Sequence, residues 1–150
     1  MITSLSRLAA CAALALLVLS GCSGAQTVES KPLPPGVNLS GNWWSTQYEN
    51  MVLSHKGDTV TGTFTYRTGG TIEGKLDGDV LYFEWVQPGD FEKARREVRG
   101  SGYLRVSPDG RTMEGRWGYD DDRMDGGEWS AEKQVESDPD YDVNEPLFKK

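Results

Sequence analysis

The stretch Thr59–Arg67, TVTGTFTYR, decides the fold. Val60, Gly62, Phe64 and Tyr66 fall on one side of it and the threonines fall on the other. A period of two is what a strand with one buried face requires. The same period continues outward along the chain. Thr71 to Leu76 sets Ile72, Gly74 and Leu76 against Glu73 and Lys75. Val80 to Val86, VLYFEWV, is apolar except for Glu84. Val98 to Val106 alternates through Gly100, Gly102 and Leu104, with Arg99 and Arg105 outward. Thr112 to Tyr119 sets Met113, Gly115, Trp117 and Tyr119 against Thr112, Glu114 and Arg116. Asn42–Tyr48, Met51–Lys56 and Gly127–Lys133 complete a set of eight short strands.

The punctuation between them agrees. Lys56-Gly57-Asp58, Thr68-Gly69-Gly70, Asp77-Gly78-Asp79 and Ser107-Pro108-Asp109-Gly110 supply positive φ or preset turn dihedrals at low cost. Tight turns between successive strands imply an antiparallel meander. The expected fold is all-β, a small eight-stranded antiparallel up-and-down barrel, because closure leaves no exposed edge on a chain rich in Thr, Val and aromatics. A two-sheet β-sandwich is the alternative. A weak repeat runs through Val60–Phe64, Thr71–Leu76 and Thr112–Trp117, with Gly62, Gly74 and Gly115 flanked by apolar residues two positions away. Glycine on an inward register permits strong coiling and close approach of opposing walls.

The flanks differ in character. Residues 1–21 begin with MITSLSR, whose one charged side chain is Arg7, followed by the apolar run Leu8–Leu19. That run is short for a membrane span, which needs about 20 apolar residues, and it reads as an export signal. It ends in Leu19-Ser20-Gly21-Cys22. LSGC resembles the lipobox of bacterial lipoproteins, which implies cleavage before Cys22, palmitate-type acylation of that cysteine and attachment to a membrane of the cell envelope. Two or three acyl chains anchor stably where one does not. Ser23 follows the cysteine rather than aspartate, and by the same resemblance this implies the outer membrane. Cys11 lies in the leader, so the processed chain has no partner for an internal disulfide.

Residues 22–38, with Pro32, Pro34, Pro35 and Gly36, read as a flexible tether; residues 23–38 fully extended reach about 50 Å. Residues 39–134 form the barrel domain, and 135–150, with Glu136, Asp138, Asp140, Asp142 and Glu145, read as an acidic flexible tail. The formal charge of −7, one unit more negative without Arg7, argues against nucleic acid as a partner. Gly41-Asn42-Trp43-Trp44, then a hairpin and VTGTF, resembles the opening strands of avidin-like and lipocalin-like barrels, in which a tryptophan near the start of strand one closes the barrel end. The resemblance covers Gly41–Phe64 and implies a calycin-type shape without naming a ligand.

Several residues are candidates for function. Adjacent Trp43 and Trp44 must face oppositely, so one of them is outside the core and available to a ligand or partner. Glu84 interrupts an apolar strand; burial would raise its pKa, whereas the outer face would let it pair across strands with an arginine such as Arg99. Asp120, Asp122, Asp125 and Glu128, with Asp121, crowd one loop whose oxygens are candidate cation contacts, although the spacing does not fit an EF-hand. His55 is the sole histidine and stands beside a turn, which reads as a surface residue. Gln87–Glu97, the longest interruption between strands, shapes a barrel mouth or contacts a partner.

No serine–histidine–acid set, multi-histidine cluster or GxxxxGK[ST] loop is recognisable. The expectation is therefore a non-enzymatic, lipid-anchored envelope barrel acting as a binding or structural module, with no catalytic residue, metal or cofactor assigned. Its expected partners are membrane lipid through acylated Cys22 and an envelope protein or small ligand. Two alternatives are a carrier of a small apolar or aromatic ligand in the barrel interior, and a carboxylate-dependent envelope hydrolase using Glu84 with Asp120 or Asp122. The interior decides between scaffold and carrier: Phe64, Leu76, Phe83, Trp85 and Trp117 either meet at its centre or line an open space.

Overall fold

A computed structural model describes residues 27–89 and 96–135. The leader, Cys22, residues 90–95 and the acidic tail beyond Val135 lie outside the described residues. Eight strands follow in order: β1 Gly41–Ser45, β2 Glu49–Lys56, β3 Thr59–Phe64, β4 Gly70–Asp77, β5 Val80–Gln87, β6 Val98–Val106, β7 Thr112–Tyr119 and β8 Gly127–Lys133. Each pairs antiparallel with the next, and β8 returns to β1 through Trp43–Lys133 and Trp44–Glu132. The sheet is thus a closed up-and-down barrel and not a sandwich.

Two strands stop earlier than their composition suggests. β1 ends at Ser45 instead of Tyr48, because Ser45 Oγ accepts the Tyr48 amide at 3.1 Å and Glu49 takes φ 63°. β3 ends at Phe64 instead of Arg67, where Gly69 N–H donates to Tyr66 O at 3.0 Å and Arg67 takes φ 58°. Both departures lift aromatic residues off a strand and onto one end of the barrel. The four turn glycines Gly57, Gly69, Gly78 and Gly110 all have positive φ, as their turns demand.

Alternation sends the apolar face inward. Leu53, Val60, Ile72, Leu104, Val106 and Met113 are buried around a central Trp129. Its ring sits edge-on to Phe83, centroids 5.3 Å apart, and to Phe64 at 5.9 Å. The inward glycines have a mechanical reason. Gly100 lies opposite Trp85 and Gly102 opposite Phe83 in the β5–β6 register. A Cβ on Gly100 would stand 2.8 Å from the Trp85 ring, and one on Gly102 2.5 Å from the Phe83 ring. In a barrel this narrow, a large ring on one strand needs an absent side chain on its neighbour.

The two ends are built differently. One carries the β2–β3, β4–β5 and β6–β7 turns, and residues 28–39 cross it as a strap. Val28 exchanges two hydrogen bonds with the Tyr82 hydroxyl, at 2.7 and 2.9 Å. Lys31 N–H donates to Asp79 Oδ1 at 2.8 Å, and Asp79 N–H returns a bond to Lys31 O at 2.7 Å. Leu33 and Val37 pack on the core, and fully buried Leu39 accepts from the Trp43 indole through its carbonyl at 2.8 Å. Most of the segment read as a tether is therefore laid down on the barrel. Prolines with interspersed Leu and Val carry no period, which is why the sequence shows no such docking. The other end bears the β1–β2, β3–β4, β5–β6 and β7–β8 connections, and no strap of described residues crosses it.

Candidate ligand-binding site

The unstrapped end holds a cavity of ≈ 180 Å³ whose walls are mostly aromatic. Its floor is Phe64 and Trp129, just above the packed centre, and Trp85, Trp117 and Tyr119 form one wall. Tyr48 and Tyr66, lifted into place by the two early strand ends, continue the lining, with Tyr48 edge-on to Trp117 at 5.7 Å and tilted against Trp129 at 4.6 Å. The rings brace one another edge to face: Trp85–Trp117 at 5.3 Å, Trp117–Tyr119 at 5.1 Å and Tyr48–Tyr66 at 5.4 Å. Such contacts leave ring faces and edges fixed before any ligand arrives. Burial pushes the Tyr48 phenol up from its ordinary pKa, while the neighbouring Trp117 indole acts the other way. The phenol therefore stays neutral and able to donate across the physiological range.

The interior thus answers the scaffold-or-carrier question by halves. Phe83, Phe64 and Trp129 fill the middle, and Leu76 lies below among residues packed against the core. Trp85, Trp117 and Phe64 line the cup above. One indole N–H group in its walls, Trp129 Nε1, is buried without a hydrogen-bond partner, while the Trp117 indole lies against the Tyr48 phenol. A buried unpaired donor costs about 1–3 kcal/mol. At the rim, Gln87 Nε2 donates to Tyr66 O at 2.7 Å and Thr68 Oγ1 to Pro88 O at 2.9 Å, tying the β3–β4 turn to the residues after β5.

The other candidates lie elsewhere. Trp43 is fully buried, with its indole bonded to Leu39 O, while Trp44 is 43% exposed on the outer wall above a groove with Thr112, Glu114 and Glu132. Glu84 is exposed on the outside of β5, in register with Glu73 and Ser101. Arg99 faces Val86 and forms its ion pair with Glu97, so the Glu84–Arg99 pairing does not form. An exposed carboxylate lacks the enclosure that tunes a catalytic acid.

Among the described residues no three His, Cys, Asp or Glu side chains converge on a metal position. The acidic loop spends its oxygens internally: Asp122 Oδ1 accepts Met124 N–H at 2.8 Å and Asp125 Oδ1 accepts Tyr119 N–H at 3.1 Å. Asp120 O takes the Ser101 hydroxyl, and Glu128 lies in register with Arg116. His55 accepts from Leu39 N–H at Nδ1 and lies 2.9 Å from Gly57 O at Nε2. These two contacts fix the proton on Nε2 and give the ring the job of holding the strap's end to a turn.

The cup escaped the strand-by-strand reading because three of its lining residues, Tyr48, Tyr66 and Arg67, come from turns. Periodicity tells which face a residue takes but not that Tyr48, Tyr66 and Arg67 meet Trp117 across the mouth. The shape of the closed barrel is consistent with the calycin-type resemblance of the opening strands. Compared with known proteins, the chain matches no family model, no curated protein and no solved structure.

Proposed function

We propose that this protein is a binding module of the bacterial cell envelope, held at the outer membrane by acylated Cys22, whose unstrapped end takes up a small apolar or aromatic molecule. The observation that carries the binding half is the cup: one end of the barrel is strapped shut and the other holds ≈ 180 Å³ of space among pre-braced rings. A cavity of about 150 Å³ with apolar walls suffices for benzene. The unpaired Trp129 indole N–H supports the same reading, since a ligand atom that accepts a hydrogen bond relieves its cost.

The anchoring half rests on Leu19-Ser20-Gly21-Cys22. Combined with the strap, it has a geometric consequence. Val28 is already docked on Tyr82, so Cys22 lies no more than about 20 Å of chain from the barrel wall. The domain rides close to the bilayer instead of standing off by the full length of the segment. Exposed Trp44 favours a second use, contact with an envelope partner on the outer wall.

Two measurements test the proposal. Neutral p-cresol at millimolar concentration is expected to shift the indole N–H resonances of Trp85, Trp117 and Trp129 and to leave Trp44 unmoved; an unmoved trio overturns the binding half. Labelled palmitate is expected to enter the wild-type chain and not Cys22→Ser, and equal labelling of both overturns the anchor.

A further inference from the structure

A second recess of ≈ 290 Å³ adjoins the cup and shares Arg67, Gln87 and Val98 with it. Its remaining walls include Thr68 and Arg96. Among the described residues neither lining contains a carboxylate, although Glu49 and the acidic β7–β8 loop belong to the same end of the barrel. The protein as a whole is acidic, at −7, so a recess with two guanidinium groups in its lining runs against its average charge. At physiological ionic strength the Debye length is about 8 Å, so a ligand at the rim responds most to the charges it touches, which in this recess are the two guanidinium groups.

The other described arginines at strand positions have partners. Arg105 is paired with Asp79, Arg99 with Glu97, and Arg116 donates twice to Met124 O. Arg67 and Arg96 have no ion pair among the described residues; Arg67 instead lies 4.9 Å above the Tyr66 ring. It is held there by a left-handed backbone at φ 58°, a conformation that costs a non-glycine residue about 1 kcal/mol or more. The strained turn therefore presents a guanidinium at the lip of an aromatic cavity and stacks it on one of the cavity's own rings.

We propose that the cup's ligand class is the planar aromatic acids: one ring seated in the mouth of the cup against its aromatic lining, with the carboxylate outside it at Arg67 and Arg96. This rests on the reading of the cup as a binding site. The size fits a single ring, because ≈ 180 Å³ is little more than benzene requires. The chemistry fits the rim, because guanidinium groups take carboxylates in paired, charge-assisted hydrogen bonds.

Phenylacetate and its neutral isostere phenylacetamide separate this inference from the reading beneath it. By calorimetry on the barrel at neutral pH, phenylacetate is expected to bind at least tenfold more tightly than the amide. Raising the salt to 0.5 M is expected to erode the difference. In Arg67→Gln combined with Arg96→Gln, both exposed positions, acid and amide should bind with equal affinity. Equal binding of acid and amide to the wild type overturns the inference and leaves the cup standing as an apolar site. Binding of neither compound, with p-cresol also silent, overturns both. A preference for the acid that survives the double substitution overturns the assignment to these two arginines.

Discussion

The Arg105 guanidinium holds Asp79 at 2.7 Å with one nitrogen and the Glu29 carbonyl at 2.6 Å with another, so a single side chain on β6 pins a strap residue and the β4–β5 turn together. Asp79 is buried, 8% exposed, and its other oxygen takes the Lys31 amide. Removing the charge in Asp79→Asn keeps an acceptor for Lys31 and breaks the pair with Arg105. The expected loss is about 1.5–3 kcal/mol in urea unfolding, the range for hydrogen bonds to charged groups. Protease sensitivity should rise near residues 28–31. An unchanged midpoint would mean that the strap is held by its apolar residues alone.

Acid should act at the same end. Burial works to raise the Asp79 carboxyl, but the Lys31 amide and Arg105 outweigh it and hold it below the usual range. The Thr59 hydroxyl and Lys75 do the same for Asp58, and the Ser107 hydroxyl and Arg111 amide for Asp109. A carboxyl depressed in the folded state stabilises fully above its unfolded value, about 3.9, and that stability is lost as the pH falls through the folded value. Stability is therefore expected to be flat near neutrality with respect to these groups and to fall below about pH 4. Asp79→Asn should have the shallower acid limb, since one depressed carboxyl is gone. Parallel limbs for the two proteins would refute the linkage.

Gly78 and Gly57 make a matched pair. Both have positive φ, 57° and 66°, in equivalent two-residue turns. A Cβ on Gly57 meets nothing within 4 Å, whereas one on Gly78 collides with the Lys31 carbonyl of the strap. Gly57→Ala is expected to cost about 1–2 kcal/mol from backbone strain alone. Gly78→Ala should cost more than Gly57→Ala and should loosen the strap, seen as faster amide exchange at Lys31. Equal costs would show that the strap yields without penalty.

The two adjacent tryptophans should behave as opposites. Trp43→Ala empties a fully buried site and removes the indole bonded to Leu39 O, for an expected cost of about 3–5 kcal/mol. Trp44→Ala, at 43% exposure, should stay within about 0.5 kcal/mol of the wild type. A large loss at Trp44 would assign it to the fold and remove it as a partner contact.

Glu84 and Glu73 sit directly opposite each other on β5 and β4. Like charges in register repel, but Lys75 and Arg123 line the same outer groove, so Glu84→Gln is expected to leave stability within about 0.5 kcal/mol of the wild type. A larger loss of stability would mean that Glu84 has a strong attractive partner.

Much of the barrel is legible in the residues. Thr59–Phe64 alternates because one side packs on Trp129 and Leu53 while the other meets water, and the turn glycines stand where two-residue connections need positive φ. Gly100 and Gly102 are readable too, once it is asked which ring sits across from each. What the sequence hides is height along the barrel axis. Tyr48, Tyr66 and Arg67 look like ordinary strand residues until Ser45 and Gly69 end their strands early. The strap hides for a different reason: Leu33, Val37 and Leu39 bury themselves in an extended path with three prolines, which has neither of the periods by which helices and strands announce themselves.

The join between the first and last strands rests on only two register pairs, Trp43–Lys133 and Trp44–Glu132. It is where the ring will part first, and a parted ring offers two raw edges to any neighbour of the same kind. Gln134 N–H adds a bond to Asn42 O of β1 at 2.8 Å, and Lys133 Nζ reaches back to Asn38 O at 2.6 Å, bolting that join from the side of the preceding segment. The residues ahead of the barrel are thus its latch against self-association, and trimming them would trade a monomer for a chain-swapped aggregate before it cost the fold its shape.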